Sequence, residues 1–99
     1  TTNNSAKSAL LKALSDDASE VRAEAATMAG KTLEPEDASN QLCMMLQDES
    51  DQVRKNTSLA LMKMEATNAI DPIKDAIKAE KDEQVKAVMT VAVNVLAKS

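Results

Sequence analysis

Residues 47–61 read Gln47-Asp48-Glu49-Ser50-Asp51-Gln52-Val53-Arg54-Lys55-Asn56-Thr57-Ser58-Leu59-Ala60-Leu61, an acidic turn closed by a Val-Arg pair and followed by a helical run. The same arrangement precedes it at Ser15-Asp16-Asp17-Ala18-Ser19-Glu20-Val21-Arg22. It returns at Ala79-Glu80-Lys81-Asp82-Glu83-Gln84-Val85-Lys86. Val21, Val53 and Val85 therefore stand 32 residues apart. A fixed period of this length marks a stack of supersecondary units, each burying its apolar face against the next.

The composition agrees. Of 99 residues, 43% are apolar and none is aromatic, so the core has to be Leu, Ile, Val, Met and much Ala. Small side chains let helix backbones come close. One Gly and two Pro leave little material for hairpin turns, which excludes an all-β fold and predicts an all-α one. The length suits a single domain spanning 1–99.

A net charge of −4 without His disfavours a phosphate-binding surface, and without aromatics bases have no stacking platform. No nucleic-acid partner is expected. No apolar run approaches the ~20 residues of a membrane span, so no membrane insertion is expected either. Cys43 has no second Cys to pair with, so it says little about compartment. The chain begins at Thr1, which leaves a mature product or an excised fragment open. Cytoplasm is the expected compartment, with a periplasmic or secreted mature form as the rival.

Read in order, 1–4 form a polar lead-in, and Asn4 or Ser5 caps a helix over 6–15 that carries Leu10, Leu11 and Leu14. Asp17 or Ser19 caps a second helix over 20–33, in which Gly30 costs stability or marks an early end. Pro35 and the carboxylates around it start a third over 35–46. Ser50 or Asp51 caps a fourth running to 66. Asp71 caps a fifth with Pro72 at its first position, over 72–80, and Asp82 starts a sixth that continues to 97. Six helices in three pairs result, with repeats at about 5–33, 35–66 and 70–98.

The second helix of each pair carries an apolar stripe. It reads Val21, Ala25, Met28, Ala29, Thr32; then Val53, Thr57, Ala60, Leu61, Met64; then Val85, Met89, Ala92, Val93, Leu96. Beside it runs a column that changes along the chain: Glu24, Thr27, Lys31; Asn56, Leu59, Lys63; Val88, Val91, Val95. If that column faces the preceding repeat, its polar start and apolar end are what a finite stack requires. On the other flank Ala26 and Leu33 are apolar where a repeat follows, and Lys86 and Thr90 are polar where none does. A capped monomer is expected, with a homodimer through the third repeat as the competing account.

The pattern Leu14-Ser15-Asp16 to Val21-Arg22 with Ala25-Ala26, repeated at Leu46-Gln47-Asp48 to Val53-Arg54, resembles HEAT repeats, in particular the HEAT-like repeats of phycobilin lyases. In the third copy Lys78 stands in the Leu column, Glu80 replaces Asp and Lys86 replaces Arg; Ile77 is expected to take the buried role, with a turn one residue longer. The resemblance covers about 5–98. It implies an α-solenoid of three HEAT-like helix pairs in a right-handed superhelical stack. It implies much less about activity, since one fold serves many functions.

The pairs Asp16/Arg22, Asp48/Arg54 and Glu80/Lys86 could form a charged ladder for a partner, but the expected role is structural: the acid orients the turn and the base bridges within or between repeats. The carboxylate clusters around 34–37, 48–51 and 80–83 lack calcium-loop spacing and its glycine, so no metal or other cofactor is expected. Cys43 shares a helical column with Leu11 and reads as core. Met44, Met45 and Met64 read as core filling in place of aromatics. Nothing forms a catalytic constellation, and no enzyme activity is expected of these residues.

A stack of helix pairs builds an extended surface, which points to a non-catalytic protein-binding module or adaptor. Lys55, Leu59, Met62 and Lys63, with Ala87 and Val91, are the candidate partner-binding residues, since helical phase turns them away from the stripe. The alternative is an accessory subunit of an enzyme such as a phycobilin lyase-like complex. A third class, DNA handling by HEAT-like glycosylases, conflicts with the acidic balance.

Overall fold

Asn3, Ser50 and Asp82, short polar residues at extended positions, set three of the helix starts in this chain. The computed structural model describes residues 3–98, so Thr1 and Thr2 of the polar lead-in and the final Ser99 lie outside the described residues. Among the described residues there are six α-helices and no strand. Helix α1 spans Asn4–Ala13 and starts two residues earlier than expected, because Asn3 is the cap: its Oδ1 accepts Ala6 N–H at 2.8 Å. Helix α2 spans Ser19–Thr32 after Ala18, without a side-chain cap. Neither Asp17 nor Ser19 fills that role, because Asp16 already organises the turn by accepting Ala18 N–H at 2.9 Å.

Helix α3 spans Pro35–Met44 and tightens into a 3₁₀ turn at Met45–Gln47. Helix α4, Asp51–Lys63, is capped by Ser50 as expected. It stops three residues short of 66, where Glu65 adopts a left-handed φ of 56° and reverses the chain. A 3₁₀ turn at Thr67–Ala69 leads directly into α5, Ile70–Ala79. Asp71 is therefore not the cap, and Pro72 occupies the third helical position. That is still within the first turn, where a missing N–H costs no intrahelical bond. Helix α6 spans Glu83–Ala97, with Asp82 accepting both Gln84 and Val85 N–H.

The third repeat departs from its expected geometry in the opposite sense. Its turn is shorter, because α5 runs to Ala79, two residues past the position matching the end of α1. Lys78 is exposed and Ile77 is half-buried against the core, so Ile77 takes only part of the buried role held by Leu14 and Leu46.

The second helices stack as α2–α4–α6, with α2–α4 the most extensive interface, and the first helices lie over them. The molecule measures 36 × 30 × 16 Å, a slab of two helix layers. Two approaches show that α2 and α4 run parallel. Asn56 Nδ2 donates to Ala23 O at 3.0 Å, and further along Gly30 lies against Ala60. Asn56 thus faces the preceding repeat, the direction assigned to its column.

The stripe is buried throughout α4 and, apart from half-buried Val93, in α6. In α2 only Ala25 and Ala29 are buried, while Val21, Met28 and Thr32 are exposed, contrary to expectation. The reason is coverage. Helix α4 meets α2, α6, α3 and a 3₁₀ turn, whereas α2 has only α1 over that side, and α1 itself has no fully buried residue. Helix α2 meets α4 at Ala23 and Gly30, and its buried residues are Ala23, Ala25, Ala26 and Ala29. Gly30 is not a terminus but an internal residue of α2 that lets the two helices touch. Of the flank residues, Ala26 and Leu33 are buried where a repeat follows; where none does, Thr90 is exposed and Lys86 is half-buried. Met45 and Met64 fill the core as expected; Met44 does not, at 77% exposure.

Candidate functional site: a guanidinium ladder and an exposed second-helix face

Arg22 and Arg54, one per Val-Arg pair, bridge successive repeats. Arg22 donates from Nε and Nη2 to Asp48 at 2.8 and 3.0 Å, and from Nη1 to the carbonyls of Asp16 and Asp17. Arg54 repeats this one unit on, donating to Glu80 at 2.8 and 2.9 Å and to the carbonyls of Asp48 and Glu49. Each guanidinium thus fastens its own turn by the backbone and the next by a two-point carboxylate bond, a geometry that lysine cannot match. The expected ladder therefore runs between repeats, not within them. Lys86 does not reach Glu80, which Arg54 already holds; it lies 3.9 Å from Glu83.

The acids are not free groups. Asp48 also accepts Ser50 N–H, and Glu80, whose side chain is 2% exposed, accepts Asp82 N–H. Burial pushes Asp48 up, but the bonds from Arg22 and Ser50 outweigh it and hold the carboxyl below its ordinary value. Glu80 is held low chiefly by the Arg54 guanidinium, against its own burial. Such carboxylates bind fewer protons folded than unfolded. Their stabilisation is complete above the ordinary carboxylate range and is lost as pH falls through the lowered folded values. Melting temperature should therefore hold from pH 7 to about pH 5 and fall steeply below about pH 4. Glu80→Gln should start lower and decline less steeply in circular dichroism melts. An equally steep decline would show that another group controls acid unfolding.

A depression of about 330 Å³ lies between the second-repeat turn and α5, lined by Leu46, Asp48, Arg54, Ala76 and Glu80 among others. Asp48, Arg54 and Glu80 in its wall belong to the ladder and are already paired, and Asp75 and Lys81 stand beside them. Cys43 is half-buried against the core, and burial raises its thiol pKa, which suits a packing residue better than a nucleophile. Among the described residues no three Cys, Asp or Glu side chains converge in a metal-binding arrangement.

The six candidate partner-binding residues fall on two neighbouring helices, α4 and α6. Lys63, Ala87 and Val91 are exposed, Val91 at 52%. Lys55, Leu59 and Met62 are half-buried, and Met62 packs against the core, so the apolar part of this face lies further toward the third repeat than its residue types suggest. Val91 and Val95, both also assigned to the column expected to face the preceding repeat, are 52% and 44% exposed, so in the third repeat only half-buried Val88 of that column fits the assignment. The helical phase of Val95, between those of Val88 and Val91, was the available signal.

A stack of three parallel second helices joined by arginine rungs, with a first-helix layer over them, is the architecture of a HEAT-repeat protein. The family model for HEAT repeats matches residues 6–94, and the chain belongs to that family. The chain is also 52% identical over 96 residues to the bilin biosynthesis protein MpeU of Synechococcus sp. (strain WH8020). That match takes in 97% of this chain and 32% of the relative, so the chain spans about a third of the length of the curated relative it matches. No solved structure matches. No helix among the described residues is long and apolar enough to cross a membrane.

Proposed function

We propose that this chain is a non-catalytic repeat segment serving bilin biosynthesis, a single domain over 1–99 that binds another protein through the exposed face of its second helices. The observation that carries the process is the 52% identity to a bilin biosynthesis protein along nearly the whole chain. The face is supported by exposed Val91 and Val95 beside exposed Lys63, an apolar patch with a charged rim. The same identity favours a second reading, in which the segment is an accessory part of an enzyme that works on bilins and supplies its docking surface.

Gel filtration of the chain with a free bilin, and separately with a bilin-carrying apoprotein, tests the proposal. Co-elution with the apoprotein supports it. Binding of the bilin alone, or of neither, overturns it. Val91→Glu with Val95→Glu should leave the stability within about 1 kcal/mol of wild type, as surface changes do, and abolish co-elution. Retained co-elution would remove this face from the reading. The polar flanks at both ends predict a monomer, and sedimentation at rising concentration should show one; a stable dimer would place the valines in a self-interface.

A further inference from the structure

The carboxylates of this protein lie mostly in its turns and at its helix starts. After Glu24 on α2, Asp51 on α4 and Glu83 on α6, the second helices carry no carboxylate to their ends, although the whole chain has 16. The same stretches carry Lys31, Lys55 and Lys63, and among the described residues none of the three makes an ion pair. Lys31 and Lys63 occupy matching positions 32 residues apart, both exposed, and the third matching position is Val95. Leu59 and Val91 are likewise matched on α4 and α6. A net-acidic protein thus presents one face that is basic at its α2–α4 side and apolar at its α6 side.

We propose that this face, with Lys31, Lys55, Leu59, Lys63, Val91 and Val95, receives an amphipathic protein helix whose apolar stripe is flanked by carboxylates. The inference rests on the protein-binding reading above and adds the chemistry of the partner. Charge complementarity selects the occupant. A second copy of this chain placed face to face could offer this face only the carboxylates at the starts of its second helices, Glu24, Asp51 and Glu83, together with its own lysines, and such a dimer is the outcome that sedimentation would reveal. An acidic helix places its carboxylates over unpaired ammonium groups and its apolar stripe over Val91 and Val95.

The test uses the full chain and two fluorescent helical peptides with one leucine stripe, flanked by glutamates in one and by lysines in the other. Anisotropy should show the glutamate peptide binding at least tenfold more tightly, with affinity falling on raising salt from about 50 to about 300 mM. Lys31→Glu with Lys63→Glu should weaken it at least tenfold, and Lys31→Gln with Lys63→Gln should have an intermediate effect. Lys74→Glu, on exposed α5, should change little. Circular dichroism keeps folding apart from binding. Equal binding of both peptides, binding of neither, or indifference to the lysine reversals would overturn the inference. Capture of a bilin-carrying apoprotein that survives the reversals would overturn it while leaving the protein-binding reading standing.

Discussion

Gly30→Ala is expected to destabilise the protein by about 2 kcal/mol net, although alanine is the better helix former by about 1 kcal/mol. A methyl group on Gly30 would lie 2.7 Å from the α-carbon of Ala60, 2.8 Å from its β-carbon and 3.2 Å from its carbonyl oxygen. Two of those three neighbours are backbone, so no rotamer change makes room. Helices α2 and α4 would have to separate along the largest interface in the molecule. Gly30→Val, with a bulkier branch at the same place, should leave little folded protein at body temperature. Ala60→Gly should rescue Gly30→Ala only in part, because it relieves the clash with the Ala60 methyl and leaves the clash with its backbone. Thermal melts by circular dichroism measure all three. A Gly30→Ala protein melting at or above wild type would mean that the two helices are not held this closely.

Arg54→Ala should cost about 3 kcal/mol, the low end for breaking a buried ion pair, since Arg54 keeps 19% of its side chain in water. The loss comes mainly from what is left behind. Glu80 would remain buried without a cation, and the carbonyls of Asp48 and Glu49 would lose a donor. Arg54→Lys should recover less than half of the loss, because an ammonium cannot make the two parallel bonds to Glu80. Arg54→Ala combined with Glu80→Ala should be less harmful than the two single losses summed, since no unpaired buried charge remains. Partner affinity in the folded fraction should be nearly unchanged. Simple additivity in urea unfolding would show that the pair does not interact, and lost binding with unchanged melting would make the ladder a recognition element.

Both effects arise at positions where a residue of one repeat meets the next, and there local pattern reading loses power. The spacing of Val21, Val53 and Val85 gave the period and the three pairs, because helical periodicity and turn chemistry are local properties. Ser50 and Asp82 were legible as caps for the same reason. Asn3 and the uncapped start of α2 were not, since several polar residues competed within a few positions and backbone geometry chose among them. The apolar stripe was legible as a stripe. Whether it was buried depended on covering neighbours, and so Val21 and Met28 are exposed where Val53 and Ala60 are not.

The candidate face divides in the same way. Lys63, Ala87 and Val91 were placed on the surface by helical phase alone, and they are exposed. Met62 was placed there too, but its long flexible side chain reaches back to the core, and phase describes only where the side chain starts. By itself, then, the sequence determined an all-α stack of three helix pairs, its register and its polar flanks. Only the tertiary structure decided that the arginines bind the acid of the following repeat, that Gly30 is a point of close approach, and that Met62 turns inward while Val95 stays at the surface. Identical repeat positions carry the same local signals, and the presence or absence of a neighbour 32 residues away gives them different fates.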